Sequence, residues 1–105
     1  MLHPTLSRPA PSTPTISDIR SESLRVSWEP PIYWWSNSYL VQMRTDSHTE
    51  FEMAKKVSSN ITSVVVRGLE TGVECQFRVV AKDKFGEEAF SPESEWTRIY
   101  GQGID

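Results

Sequence analysis

An all-β, two-layer sandwich is the fold this 105-residue chain predicts, and three observations predict it. Apolar and polar residues alternate with period two in one short run after another. Clusters of Gly, Pro, Asn, Asp and Ser separate the runs as turns. No stretch carries an i, i+3, i+4 apolar stripe ten residues long, which leaves no room for helix beyond a single turn.

Seven runs read as strands. Ile16-Ser17-Asp18-Ile19 is a short opening strand. In Ser23 to Trp28, the residues Leu24, Val26 and Trp28 alternate with Ser23, Arg25 and Ser27, giving one buried and one wet face. Tyr39, Val41 and Met43 alternate with Leu40, Gln42 and Arg44 in the third run, and Phe51 and Met53 with Glu50, Glu52 and Ala54 in the fourth. Ile61 to Arg67 is β-branched. The longest run sets Cys75, Phe77, Val79 and Ala81 inward against Gln76, Arg78, Val80 and Lys82, and Ser94 to Tyr100 closes the order. Turns fall at Glu29-Pro30-Pro31, Thr45 to His48, Ser58 to Asn60, Gly68 to Gly72 and Asp83 to Gly86. Seven short strands in about 90 residues are what a seven-stranded immunoglobulin-like sandwich needs.

Composition sets the outer bounds. A chain this size buries roughly 60 to 70% of its unfolded surface, enough for one modest core without metal or disulfides. Residues 1–12, with Pro4, Pro9 and Pro11, read as a proline-rich linker or leader; 13–100 form the domain, and 101–105, with two glycines, an exit tail. No apolar run reaches the ~20 residues of a membrane span, and the start lacks a signal-peptide apolar core, so direct membrane insertion is not expected. Eleven basic residues against 14 acidic ones, a net charge of −3, argue against nucleic acid as a partner. Cys75, the one cysteine, has no disulfide partner within the chain.

The chain resembles the fibronectin type III domain family over about residues 12–100. The resemblance is carried by Leu24-Arg25-Val26-Ser27-Trp28-Glu29-Pro30-Pro31, by Tyr39-Leu40-Val41, by Gly68 to Glu74, by Phe77-Arg78-Val79-Val80-Ala81, and by Gly86 with Ser91-Pro92. It implies a fibronectin type III topology with Trp28, Tyr39, Leu69, Phe77 and Val79 as core anchors. Cys75 stands where the family usually carries the tyrosine of a tyrosine corner. Loss of that phenol implies a domain somewhat less stable than its relatives.

Sequence chemistry favours no enzyme and no cofactor. His3 lies in the leader and His48 in a loop, so they cannot meet at a metal, and Cys75 points inward on a middle strand without a base. No glycine-rich phosphate loop or nucleophile elbow is present. Glu87-Glu88 and Glu93 with Glu95 read as solvated acidic surface.

Binding signals lie in the loops. Ile32-Tyr33-Trp34-Trp35-Ser36-Asn37 joins the second and third strands, and three consecutive aromatics cannot all turn inward. Trp34 or Trp35 either folds back as a lid over the open end or belongs to a partner-binding patch with Tyr33 and Phe85. The resemblance places loops 31–38, 56–60 and 83–90 at one end, flanked by Lys55, Lys56, Lys82 and Lys84. Asn60-Ile61-Thr62 is a glycosylation acceptor triplet. Ser94-Glu95-Trp96-Thr97 resembles half of the Trp-Ser-x-Trp-Ser box of class I cytokine receptors, with Glu93 in place of the first tryptophan and Arg78 or Arg98 as the stacking candidates for Trp96.

The expected function is a non-enzymatic protein-interaction or spacer module of a multidomain protein, contacting a protein partner through one end and flanking domains along its chain. The alternatives are a cytokine-receptor-like ligand-binding domain and an intracellular cytoskeletal or muscle-type module of the titin or myosin light chain kinase kind. Asn60 tips the expected location towards the extracellular part of a cell-surface or matrix protein.

Overall fold

A computed structural model describes residues 8–101. Eight short strands occur in the order β1 (Thr15–Ser17), β2 (Ser23–Ser27), β3 (Ser38–Thr45), β4 (Glu52–Ser58), β5 (Ser63–Arg67), β6 (Glu74–Lys82), β7 (Glu88–Phe90) and β8 (Thr97–Arg98). They form two antiparallel sheets, β1-β2-β5 and β4-β3-β6-β7, with β8 also pairing β6. Alternation in the sequence becomes two inner faces: Leu24, Val26, Val64 and Val66 from one sheet meet Tyr39, Val41, Phe77, Val79 and Ala81 from the other.

Trp28 closes this core at one end. It lies just past β2, where its backbone N–H donates to Thr62 O at 3.0 Å, and its ring meets Tyr39 edge-on with centroids 5.4 Å apart at 75°. Tyr39, Phe77 and Val79 are fully buried, and Leu69 packs against the cluster from its turn. Both the Trp28 indole N–H and the Tyr39 hydroxyl are buried without a hydrogen-bond partner among the described residues. Burial raises the Tyr39 pKa; Ser36 opposes the rise more weakly, without closing a well-aligned hydrogen bond.

Four details differ from the sequence expectations. The opening strand ends at Ser17, because Asp18 takes a left-handed φ of 49° and turns the chain, with its carboxylate 3.4 Å from Arg25 Nε. In β4 the inward residues are Ala54 and Val57, and Met53 is 61% exposed. The cause is an irregularity in the β3–β4 ladder: Val41 pairs with Lys55 but Gln42 with Met53, which leaves Ala54 as the extra residue. Val80 is fully buried although it sits on the outer face of β6, with Leu40 and Phe90 as its cross-strand neighbours.

The closing strand is the fourth difference. Of the expected Ser94 to Tyr100 only β8 is a strand, and β7, which falls in the expected loop 83–90, is an additional one, with Ser91-Pro92-Glu93-Ser94 lying between the two. Pro92 has no N–H to give a ladder. The flanking serines compensate: Ser91 N and Ser94 N donate to Val79 O and Phe77 O, both at 2.8 Å. In return their hydroxyls accept from Val79 N at 2.8 Å and Phe77 N at 2.9 Å. The edge stays satisfied where regular pairing stops.

Candidate functional site

Strand pairing brings three connections to one end. Ser38 faces both Ser58 and Lys82, and Lys82 faces Glu88, so the β2–β3, β4–β5 and β6–β7 loops cluster there. The β6–β7 loop is wound around Asp83. One carboxylate oxygen accepts from Phe85 N and Glu87 N, both at 2.9 Å, and Gly86 supplies the φ of 91° that the tight reversal requires. The loop is thereby held in a shape that leaves Phe85 80% exposed, with Lys84 Nζ 5.2 Å from its ring centre.

On the β2–β3 loop the two tryptophans divide. Trp35 is half-buried against the core, and its indole N–H donates to Pro9 O at 2.9 Å. The Arg8 guanidinium lies 5.3 Å from the Trp35 ring centre and 3.7 Å from the buried Asp83 carboxylate. Trp34 points away and is 62% exposed; Tyr33 and Ile32 are exposed beside it. Tyr33, Trp34, Trp35 and Phe85 line one open depression of about 690 Å³, together with Arg8 and Asn37. Asn60 is exposed in the adjoining turn, its amide oxygen accepting from the Ser58 hydroxyl. Arg8 and Pro9 were not foreseen as part of this end: a proline-rich composition gives no sign that one of its carbonyls meets an indole 26 residues away.

A second surface lies on the outer face of the five-stranded sheet. Arg44 stands between Trp96 and Phe51, with its guanidinium carbon 5.4 and 4.7 Å from the ring centres; Arg78 stands between Phe51 and Phe90 at 4.2 and 4.7 Å. The order Trp96, Arg44, Phe51, Arg78, Phe90 is a continuous alternation of rings and cations. Gln76 accepts from Arg44 Nε at 2.8 Å and Gln42 from Arg78 Nε at 2.6 Å, which fixes both guanidinium planes. The partner of Trp96 is therefore Arg44. Arg78 is taken by the two phenylalanines, and Arg98 pairs instead with Glu74.

At the opposite end Cys75 is buried, with its thiol directed to Thr97 O at 3.6 Å. Beside it lies a crevice of about 220 Å³ whose lining includes Met43, Leu69, Val73 and Ile99. Burial, with a smaller contribution from Asp46, pushes the thiol up to about 11, so it is protonated at neutral pH and a poor nucleophile. Among the described residues no three His, Cys, Asp or Glu side chains converge to hold a metal, and no helix is long and apolar enough to cross a membrane. His48 sits in an exposed turn, and His3 lies outside the described residues.

With strands, core and loops in place, comparison with known proteins defines the class. The fibronectin type III family matches residues 9–97, and the chain belongs to that family. Among solved structures it is similar to titin kinase and its flanking domains, at 24% identity and a TM-score of 0.77 over 89% of this chain and 17% of that one. Chicken CNTN1 FN1–FN3 domains match at 25% identity and a TM-score of 0.78 over 91% of this chain and 33% of that one. A human collagen XX FN3 domain matches at 21% and 0.74, covering 93% of this chain and 99% of that one. The chain thus spans a third or less of the titin and CNTN1 structures and nearly all of the single collagen domain.

Proposed function

We propose that this domain is a non-enzymatic contact and spacing module of a larger multidomain protein, and that it engages a protein partner through the end bearing Tyr33, Trp34 and Phe85. The observation that carries the reading is the exposure of Trp34 and Phe85 on loops held in place by Asp83, Arg8 and Pro9. Rings presented on a fixed frame bury large apolar area at little entropic cost, which is how contact surfaces obtain affinity. Family membership supports a scaffold role, since domains of this kind are generally binding or spacer units.

The test is photo-crosslinking from position 37, in the lining of the same depression, in the full-length parent protein, which leaves Trp34 in place. A discrete crosslinked protein product that disappears in a Phe85→Ala background supports the reading; no product, or one indifferent to Phe85, overturns it. Exposure of Asn60 beside this end supports placement in an extracellular segment, and intact-mass measurement of the natively expressed protein checks for the glycan.

The cation–ring ladder favours a second reading, a ligand-capturing domain of the cytokine-receptor kind. Its alternation of arginines and aromatics follows the stacking principle of the Trp-Ser-x-Trp-Ser box, with Phe51 and Phe90 in ring positions. The same crosslinking separates the two readings, because a receptor domain would give a soluble helical ligand as the product.

A further inference from the structure

The aromatic depression has a donor-rich wall. Tyr33 and Trp34 bring a hydroxyl and an indole N–H, and Asn37, Lys84 and Arg8 add an amide, an ammonium and a guanidinium. Its one carboxylate, Asp83, is already engaged by Phe85 N, Glu87 N and Arg8. A ligand suited to this wall offers carbonyl acceptors and flat apolar faces and brings few N–H groups of its own. Proline-rich backbone has that inventory: every prolyl residue lacks the N–H, and the extended left-handed helix it prefers is preformed, so docking costs little conformational entropy. The same end already holds one such group, since Trp35 donates its indole N–H to Pro9 O at 2.9 Å. Trp35, which makes that contact, lines the depression together with the exposed Trp34, Tyr33 and Phe85.

We propose that this depression takes a proline-rich segment of a partner protein, laid alongside Arg8–Pro9 with its rings on Trp34, Tyr33 and Phe85. The inference rests on the reading that this end is a contact surface, and narrows the partner to one chemistry. Arg8 and Pro9 need not leave, because the depression is open with them in place.

The experiment titrates the isotopically labelled full chain with capped octaproline, with a capped Gly-Ser octapeptide as control, and follows the indole N–H signals by NMR. Expected is saturable movement of the Trp34 indole signal and the amides around Phe85, with a dissociation constant between about 0.1 and 1 mM, and none with the control. Trp34→Ala should weaken binding about tenfold or more while its spectrum keeps the dispersion of a folded sandwich. Absence of shifts at millimolar octaproline, or equal shifts with the Gly-Ser peptide, overturns the proposal. If crosslinking from position 37 succeeds while octaproline fails, the contact surface stands and the proline-rich partner falls; if both fail, neither survives.

Discussion

The Arg78 guanidinium carbon stands 4.2 Å from the centre of the Phe51 ring, and the Arg44 guanidinium carbon stands 4.7 Å from the same centre. Phe51 is thus the central rung of a ladder that runs across the outer face of β3 and β6. Two cations brought to one ring repel each other, so the arrangement depends on Gln42 and Gln76 holding each guanidinium and on Glu93, 3.3 Å from Arg44, supplying the opposite charge.

Removing the central rung should be felt at both arginines. Each stacked pair is worth about 0.5–1 kcal/mol on a surface of this exposure, and the ring's own burial adds to it. Phe51→Ala is expected to cost about 2 kcal/mol in urea unfolding with an unchanged m-value. Arg78→Lys, which keeps the charge but loses the flat stack, should cost about 1 kcal/mol.

The stretch between β7 and β8 makes a sharper prediction. Ser94→Ala leaves the buried Phe77 N–H without its acceptor, and Ser91→Ala does the same to Val79. Each substitution should destabilise by about 1–3 kcal/mol, and hydrogen exchange at the orphaned amide should accelerate more than at its neighbours.

Cys75 links stability to alkaline pH. The folded thiol is pushed up to about 11 from its model-peptide 9.0, so between these values the folded chain binds more protons than the unfolded one. Stability is therefore fully present below pH 9 and declines as pH rises through 11. A rise from 9.0 to about 11 makes the effect on the order of 1 kcal/mol. Comparing the wild type with Cys75→Ala by urea unfolding from pH 8 to 11 isolates this effect, because Tyr39 titrates in both. Wild type should lose about 1 kcal/mol relative to the variant over that range; a constant difference would show that the thiol is not the linked group.

Much of the fold was legible because the buried faces announce themselves. Leu24 and Val26, or Phe77 and Val79, alternate so regularly that their register leaves one choice of core. Legibility failed where pairing is irregular: Met53 occupies an apolar slot in the pattern, and only the slip opposite Gln42 turns it outward. At the candidate site, three aromatics in a row signalled exposure but not which ring. That choice depends on Pro9 O and Arg8, contacts set by the tertiary path of residues 8 and 9 rather than by the loop's own residues. The ladder was half visible in Trp96, whereas Arg44, Phe51 and Phe90 meet only after the sheet forms.

The division of labour between Trp34 and Trp35 offers the most direct check. Purified full chains carrying Trp34→Ala or Trp35→Ala would be compared for partner affinity and for unfolding free energy. Trp34→Ala should bind at least about tenfold more weakly while unfolding within about 0.5 kcal/mol of wild type, and Trp35→Ala should lose about 2–3 kcal/mol of stability. A Trp34→Ala chain that binds as tightly as wild type, or that loses its stability instead, would contradict the assignment of this end as the domain's contact surface.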